Sequence, residues 1–98
     1  MGDYSIYVIL NNLDLDEQNG YTYYIVDCSL GDIQLTLPTI TYDGANFKIH
    51  RLDSSSNVLT ITPQSGQTIN GGSSITVTTS VPKSEYVSYG SDWLTQPR

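Results

Sequence analysis

Positive charge is scarce in this sequence: four Lys and Arg stand against ten Asp and Glu, for a net charge of −6. Nucleic-acid binding through counterion release needs clustered cations, so that class of partner is excluded. An anionic membrane surface is disfavoured for the same reason. No apolar run approaches the roughly 18 residues of a transmembrane helix. A charged leader followed by a long apolar stretch is also missing, so no signal peptide is expected. Cysteine occurs once, as Cys28. That excludes an intrachain disulfide and makes the thiol a small apolar core filler. One His and one Cys cannot build a four-ligand zinc site, and neither metal nor cofactor is expected. Helical periodicity is missing as well.

What is present is written for strands. The apolar fraction is 38%, below the roughly 45–50% usual for soluble domains, and Ser and Thr fill much of the gap. Eight Tyr stand against one Phe. Thr and Tyr favour strands that tolerate a wet face, and Tyr suits a sheet whose outer face meets water or another subunit.

Short alternating runs recur at intervals of about eight to twelve residues. Residues 4–10 (YSIYVIL) place Ile6, Val8 and Leu10 on one side and Tyr7 and Ile9 on the other, so both faces should be covered. Residues 11–20 (NNLDLDEQNG) read as a solvated acidic loop with a tight turn at Asn19-Gly20. In residues 21–27, Tyr21, Tyr23 and Ile25 alternate against Thr22, Tyr24 and Val26. Ile33, Leu35 and Leu37 point inward from the next run, which Pro38 ends. Phe47 and Ile49 then oppose Lys48 and His50. Residues 53–57 (DSSSN) form a turn whose side chains can bond their own backbone.

Residues 57–79 pair two alternating runs, Leu59/Ile61 and Ile75/Val77, around a Gly-rich connector. Gly66 and the pair Gly71-Gly72 are expected to supply its positive-φ positions. Residues 83–89 make a further strand, and the chain end at residues 96–98 is expected to fray. The fold expected is all-β: a small antiparallel β-sandwich or jelly-roll-like β-roll of about eight or nine short strands. Residues 1–19 form an N-terminal strand and acidic loop, a candidate attachment segment, and residues 20–98 the sandwich.

Chemistry finds little purchase. A Ser-His-Asp site could be drawn from His50, Asp53 and a serine, but no Gly-x-Ser-x-Gly elbow is present and Ser is abundant. Asp14-x-Asp16-x-Gln18 resembles the start of an EF-hand loop. The required Gly is one place late, at Gly20, and the position of the bidentate acid holds Ile25. An enzyme is not expected. Sugar binding is the stronger rival: exposed aromatics such as Tyr89 and Trp93 could stack on pyranose rings, although a lone Trp more often plugs a sandwich end.

Several motifs in order carry a resemblance. Residues 23–38 (YYIVDCSLGDIQLTLP), then Phe47-Lys48-Ile49, residues 57–63 (NVLTITP), the Gly66 to Ser74 connector and residues 85–93 (EYVSYGSDW) together resemble the β-domains of phage tail and head fibres. They also resemble tandem repeats in surface proteins of large algal viruses. The resemblance implies a non-enzymatic structural protein of the virion surface: a fibre, spike or capsid decoration. It further implies a homo-oligomer, with a trimer favoured, that contacts other virion proteins and a cell-surface glycan. The interface expected comprises Tyr4, Ile6, Tyr7, Val8, Tyr21, Tyr23 and Tyr24. The alternative is a carbohydrate-binding module.

Overall fold

A computed structural model of the chain describes residues 6–17 and 23–97. Within them the strands are β1 (Ile6–Ile9), β2 (Leu13–Asp14), β3 (Tyr23–Val26), β4 (Ile33–Thr36), β5 (Asn46–Arg51), β6 (Leu59–Thr62), β7 (Thr68–Ile69), β8 (Ile75–Val77), β9 (Lys83–Tyr89) and β10 (Asp92–Pro97), with a 3-10 turn at Leu15–Glu17. One sheet has the order β1-β3-β5-β9-β10-β7 and the other β2-β4-β6-β8. Strands β1, β3 and β5 pair in parallel, and so do β2, β4 and β6. The chain therefore alternates between two sheets and winds as a β-solenoid of about three turns.

The all-β expectation holds, but the antiparallel sandwich or jelly-roll is overturned by this parallel pairing. Period-two alternation says which side chains point inward, and a solenoid rung and a sandwich strand share it. What separates them is the connection, since parallel neighbours need a crossover of a dozen or more residues. Here each crossover carries a strand of the opposite sheet. The repeat is hidden because the turns differ in length. Ile6 pairs with Tyr23, 17 positions on, whereas Tyr23 pairs with Lys48, 25 positions on.

Antiparallel strands appear where the winding stops. Strand β8 lies antiparallel against β6, and β9 against β5, while β10 folds back on β9 and carries β7 on its far side. At the opposite end β1 and β2 are the terminal strands of their sheets. The stretch before residue 20, expected as a strand and acidic loop ahead of the domain, supplies β1 and β2 of the first turn. Three elements differ from the sequence reading: β2 lies in the acidic stretch, β7 in the Gly-rich connector, and β10 runs through the expected frayed end to Pro97. The Asn19-Gly20 turn, Tyr4 and Tyr21 lie outside the described residues.

The core fills the space between the sheets. Leu13, Leu35, Ile61 and Ile75 stack in register across the second sheet, beside Ile33, Leu59 and Val77. The facing sheet contributes an aromatic cluster around Phe47. Its ring centroid is 5.2 Å from that of Tyr86, stacked, and 5.6 and 5.1 Å from Tyr24 and Trp93, edge-on. Such pairs add to the burial of the rings, which is itself the larger contribution. Trp93 is 1% exposed and donates its indole N–H to the Pro38 carbonyl at 3.3 Å.

Short polar side chains hold the corners between turns. Asn12 Oδ1 accepts the Gln34 N–H at 2.8 Å, and Asp32 Oδ1 accepts the Val58 N–H at 2.8 Å. In both cases a side-chain oxygen, an amide carbonyl in Asn12 and a carboxylate in Asp32, replaces a backbone partner as the ladder meets the corner, so the amide of the following turn is satisfied. The acids of the EF-hand-like stretch serve in the same way. Asp14 Oδ1 accepts from Asp16 N and from Gln64 Nε2, and Asp16 Oδ2 accepts the Thr39 hydroxyl at 2.6 Å. Gln18 lies outside the described residues.

Candidate functional site

The most densely bonded polar cluster sits where β5 leaves its sheet. Arg51 continues the inward phase of Phe47 and Ile49 and is 4% exposed, so its charge is taken into the core edge. Its Nε lies 3.0 Å from Asp53 Oδ1 and its Nη2 3.1 Å from Oδ2, a two-point contact. Nη1 donates to the Val77 carbonyl of β8 at 2.9 Å, and Nη2 also reaches the carbonyls of Ser55 and Asn57. Asp53 in turn accepts the backbone N–H groups of Cys28 and Ser55 and the Ser55 hydroxyl. Asn57 Nδ2 donates to the Cys28 carbonyl at 2.6 Å. The cluster thereby ties the second turn of the solenoid to the third and to β8.

Electrostatics follow from that bonding. The Arg51 guanidinium, ahead of the Ser55 hydroxyl and the Cys28 and Ser55 amides, holds the Asp53 carboxyl well below the usual carboxylate range. Arg51 itself is pushed up, chiefly by its hydrogen bond to Asp53. Burial raises the Cys28 thiol, and the nearby Arg51 charge offsets only part of that. A raised, fully buried thiol is the opposite of an activated nucleophile. A cleft of about 300 Å³ opens beside Arg51, Asn57, Thr76 and Val77. The guanidinium that borders it is committed to carbonyls and to Asp53. The arrangement is a structural clamp.

The residues of the hypothetical Ser-His-Asp set are not brought together. His50 lies on the outer face of β5, where its Nδ1 is 3.3 Å from the Tyr23 hydroxyl, while Asp53 turns to Arg51.

The expected interface residues divide by alternation. Ile6 and Val8 face outward from β1 and are 52% and 56% exposed, and Leu10 continues their row. Tyr7 packs against the core, and Tyr24 is buried within it. Tyr23 is half-buried on the outer face beside His50. The glycan-contact pair divides too: Tyr89 is exposed, but the Trp93 ring lies in the core and offers no face to a sugar.

Two of the three turn glycines stand in the left-handed region, Gly66 at φ 83° and Gly71 at φ 77°. Gly72 does not, which corrects its assignment as a positive-φ position; Asn70 takes that role at φ 49°. Ile69 and Gly72 exchange N–H to carbonyl bonds of 3.0 and 2.8 Å across Asn70-Gly71. Two central residues at positive φ are what a two-residue Asn-Gly hairpin turn requires. The Asn70 side chain also pairs with the backbone of Thr95, accepting its N–H and donating to its carbonyl.

Sequence reasoning missed Arg51. The signal for Arg51 was its phase: a cation in register with two inward apolar positions must find a buried partner. No family model matches this chain, and no curated protein matches it either.

Proposed function

We propose that this chain is a non-enzymatic structural module of a virus or phage particle surface, as fibre, spike or capsid decoration, and that it assembles through the end formed by β1 and β2. The observation that carries the reading is the character of β1. It is apolar on both faces although it is the terminal strand of its sheet, with Ile6 and Val8 more than half exposed on the outer side. Strands that are apolar on both faces are normally covered on both. Sheet-terminal strands in monomeric proteins are usually blunted with charge or proline, and residues 6–12 carry neither.

Charge favours β1 over the rest of the surface as the contact between copies. With a net charge of −6, like copies repel over most of their surfaces. The neutral β1 stretch is where that repulsion is weakest and apolar burial greatest. A homo-oligomer formed there, trimeric by the resemblance, would seat the module among other virion proteins.

Mass in solution tests the reading. A multiple of 10.8 kDa by light scattering at micromolar concentration is expected. The double substitution Ile6→Lys/Val8→Lys should return it to the single-chain mass with the core intact. A wild-type mass of 10.8 kDa would overturn assembly of this kind. Immunogold labelling of purified particles tests the location.

A further inference from the structure

Strand β8 is the terminal strand of the smaller sheet, at the end opposite β2. The direction of its backbone groups follows from the hydrogen bonds of β6. The Val58 and Thr62 carbonyls accept the Ile33 and Leu37 N–H groups from the β4 side, at 3.0 and 2.8 Å. Backbone groups alternate in direction along a strand, so Leu59 and Ile61 turn theirs to β8, where they stand opposite Val77 and Ile75. Thr76 lies between those two and therefore aims its own N–H and carbonyl away from β6, at the open edge. Charge and proline are the usual protection of such an edge, and residues 73–79 carry neither.

A cleft runs along that edge. Its volume is about 220 Å³, and consecutive residues from Ile75 to Thr78 border it, so it follows the backbone of the strand rather than one face. The other sheet supplies the facing wall through Ser84 of β9 and Thr95 of β10, and Val81 and Lys83 line it as well. Ser84 is buried and donates its hydroxyl to the Tyr86 hydroxyl at 2.9 Å. Burial raises the Tyr86 phenol, and its neighbours Ser84 and Thr95 offset part of that. Thr95 Oγ1 is nonetheless buried without a partner at hydrogen-bonding geometry among the described residues. Small-molecule sites begin at roughly 300 Å³, so a cleft of this size suits a single side chain better than a cofactor.

We propose that β8 accepts an extended, acidic peptide of a partner protein as an added strand, with one β-branched side chain in the cleft and a carboxylate at Lys83. Backbone pairing along a free edge gives affinity in strand addition, and a pocket for alternate side chains gives specificity. A peptide residue opposite Thr76 exchanges hydrogen bonds with it, and its two neighbours then point inward, as Ile75 and Val77 do. That places a small side chain between β8 and the wall of Ser84 and Thr95. Threonine at this position also brings a hydroxyl to Thr95 Oγ1. Charge selects the flanking residue. Lys83 is one of four cations in a chain of net charge −6, and no ion pair among the described residues engages it. An acidic peptide is therefore drawn to this rim and repelled by most of the remaining surface. The cleft lies at the opposite end of its sheet from β2, so the inference stands independently of the assembly proposed above.

The experiment titrates the full chain against fluorescein-labelled heptapeptides built on Thr-Val-Thr-Val-Thr, with Asp, Ser or Lys at the two ends and a control carrying proline at the centre. Peptides ending in Asp are expected to bind about tenfold or more tightly than those ending in Lys, and the proline control not to bind. Thr76→Pro removes the edge N–H at a position where a terminal strand tolerates proline, and should abolish binding. Lys83→Glu should reverse the preference, from Asp ends to Lys ends. Emission of the buried Trp93 and light-scattering mass, unchanged in both variants, separate loss of the edge from loss of fold or assembly. Folded wild type that binds none of the peptides, binding indifferent to Thr76→Pro, or an unaltered charge preference in Lys83→Glu would overturn the proposal. A folded Thr76→Pro variant of reduced mass would overturn it too, by giving the edge to a second copy of this chain.

Discussion

Arg51 and Asp53, two residues apart at the end of β5, form a two-point ion pair of 3.0 and 3.1 Å whose side chains are both about 3% exposed. Neither charge closes on the other alone. The same guanidinium holds carbonyls of the corner and of β8, and the same carboxylate holds amides of two successive turns. A buried pair so fully bonded costs most when one member is removed, because the other is left charged and unpaired.

Asp53→Ala is therefore expected to destabilise the fold by about 3–5 kcal/mol, and Arg51→Ala by a similar amount. The double variant Arg51→Met/Asp53→Leu should lose distinctly less than the sum, since no orphan charge remains. Urea unfolding followed by emission of the sole tryptophan measures all three. Additive losses would show that the pair is not coupled.

Acid should expose the same cluster. The Asp53 carboxyl is held below its ordinary pKa of 3.8, chiefly by Arg51, and Asp92 is lowered chiefly by the Gly71 N–H and then the Thr68 hydroxyl. A depressed folded pKa contributes stability that is complete above the unfolded value and is lost as pH falls through it toward the folded value. Stability should thus be flat in these groups from neutral pH to about pH 5 and fall below about pH 4. Asp53→Asn should start less stable and show a shallower acid slope. An unchanged slope in that variant would assign the acid sensitivity elsewhere.

The Asn70-Gly71 turn separates two glycines that look alike in the sequence. Gly71→Ala forces a side chain into the left-handed region and should cost roughly 1–2 kcal/mol. Gly72→Ala is expected to be nearly neutral. Its new Cβ would meet the Ile69 carbonyl at 3.5 Å, an ordinary contact. Paired melting curves of the two variants decide the matter, and equal losses would contradict the turn described.

Cys28 gives a probe of opening. Its thiol is buried and raised by desolvation, so a disulfide reagent at neutral pH should modify it slowly in native protein and rapidly in urea. Ser55→Ala and Asn57→Ala remove hydrogen bonds to the Cys28 carbonyl and should speed the native reaction without changing the unfolded rate. Fast labelling of the native wild type would place the thiol nearer to solvent.

The alternating strands and their inward faces were legible in the sequence alone, whereas β2, β7 and the end of β10 were not. Leu35, Ile49, Leu59 and Ile61 alternate with polar neighbours, and period two admits no other regular structure. The scarcity of cations and of His and Cys also bounded the chemistry before any fold was known. Pairing direction belonged to the tertiary structure. The turns of 17 and 25 positions conceal the repeat, and the ladder from Leu13 through Leu35 and Ile61 to Ile75 exists only once the winding brings them into register.

The surfaces divided in the same way. Residues 6–10 announced an apolar outer face by their pattern, but only the sheet order put that face at an end of the solenoid. Tyr42 and Ser88 are 46 positions apart, and nothing local links them. Ser88 bonds Tyr42 and Ala45 across strands, a long-range contact that alternation and turn chemistry do not encode. Local patterns fix which way a side chain points. Which distant residue it meets is set by register, and register is decided when the whole core closes.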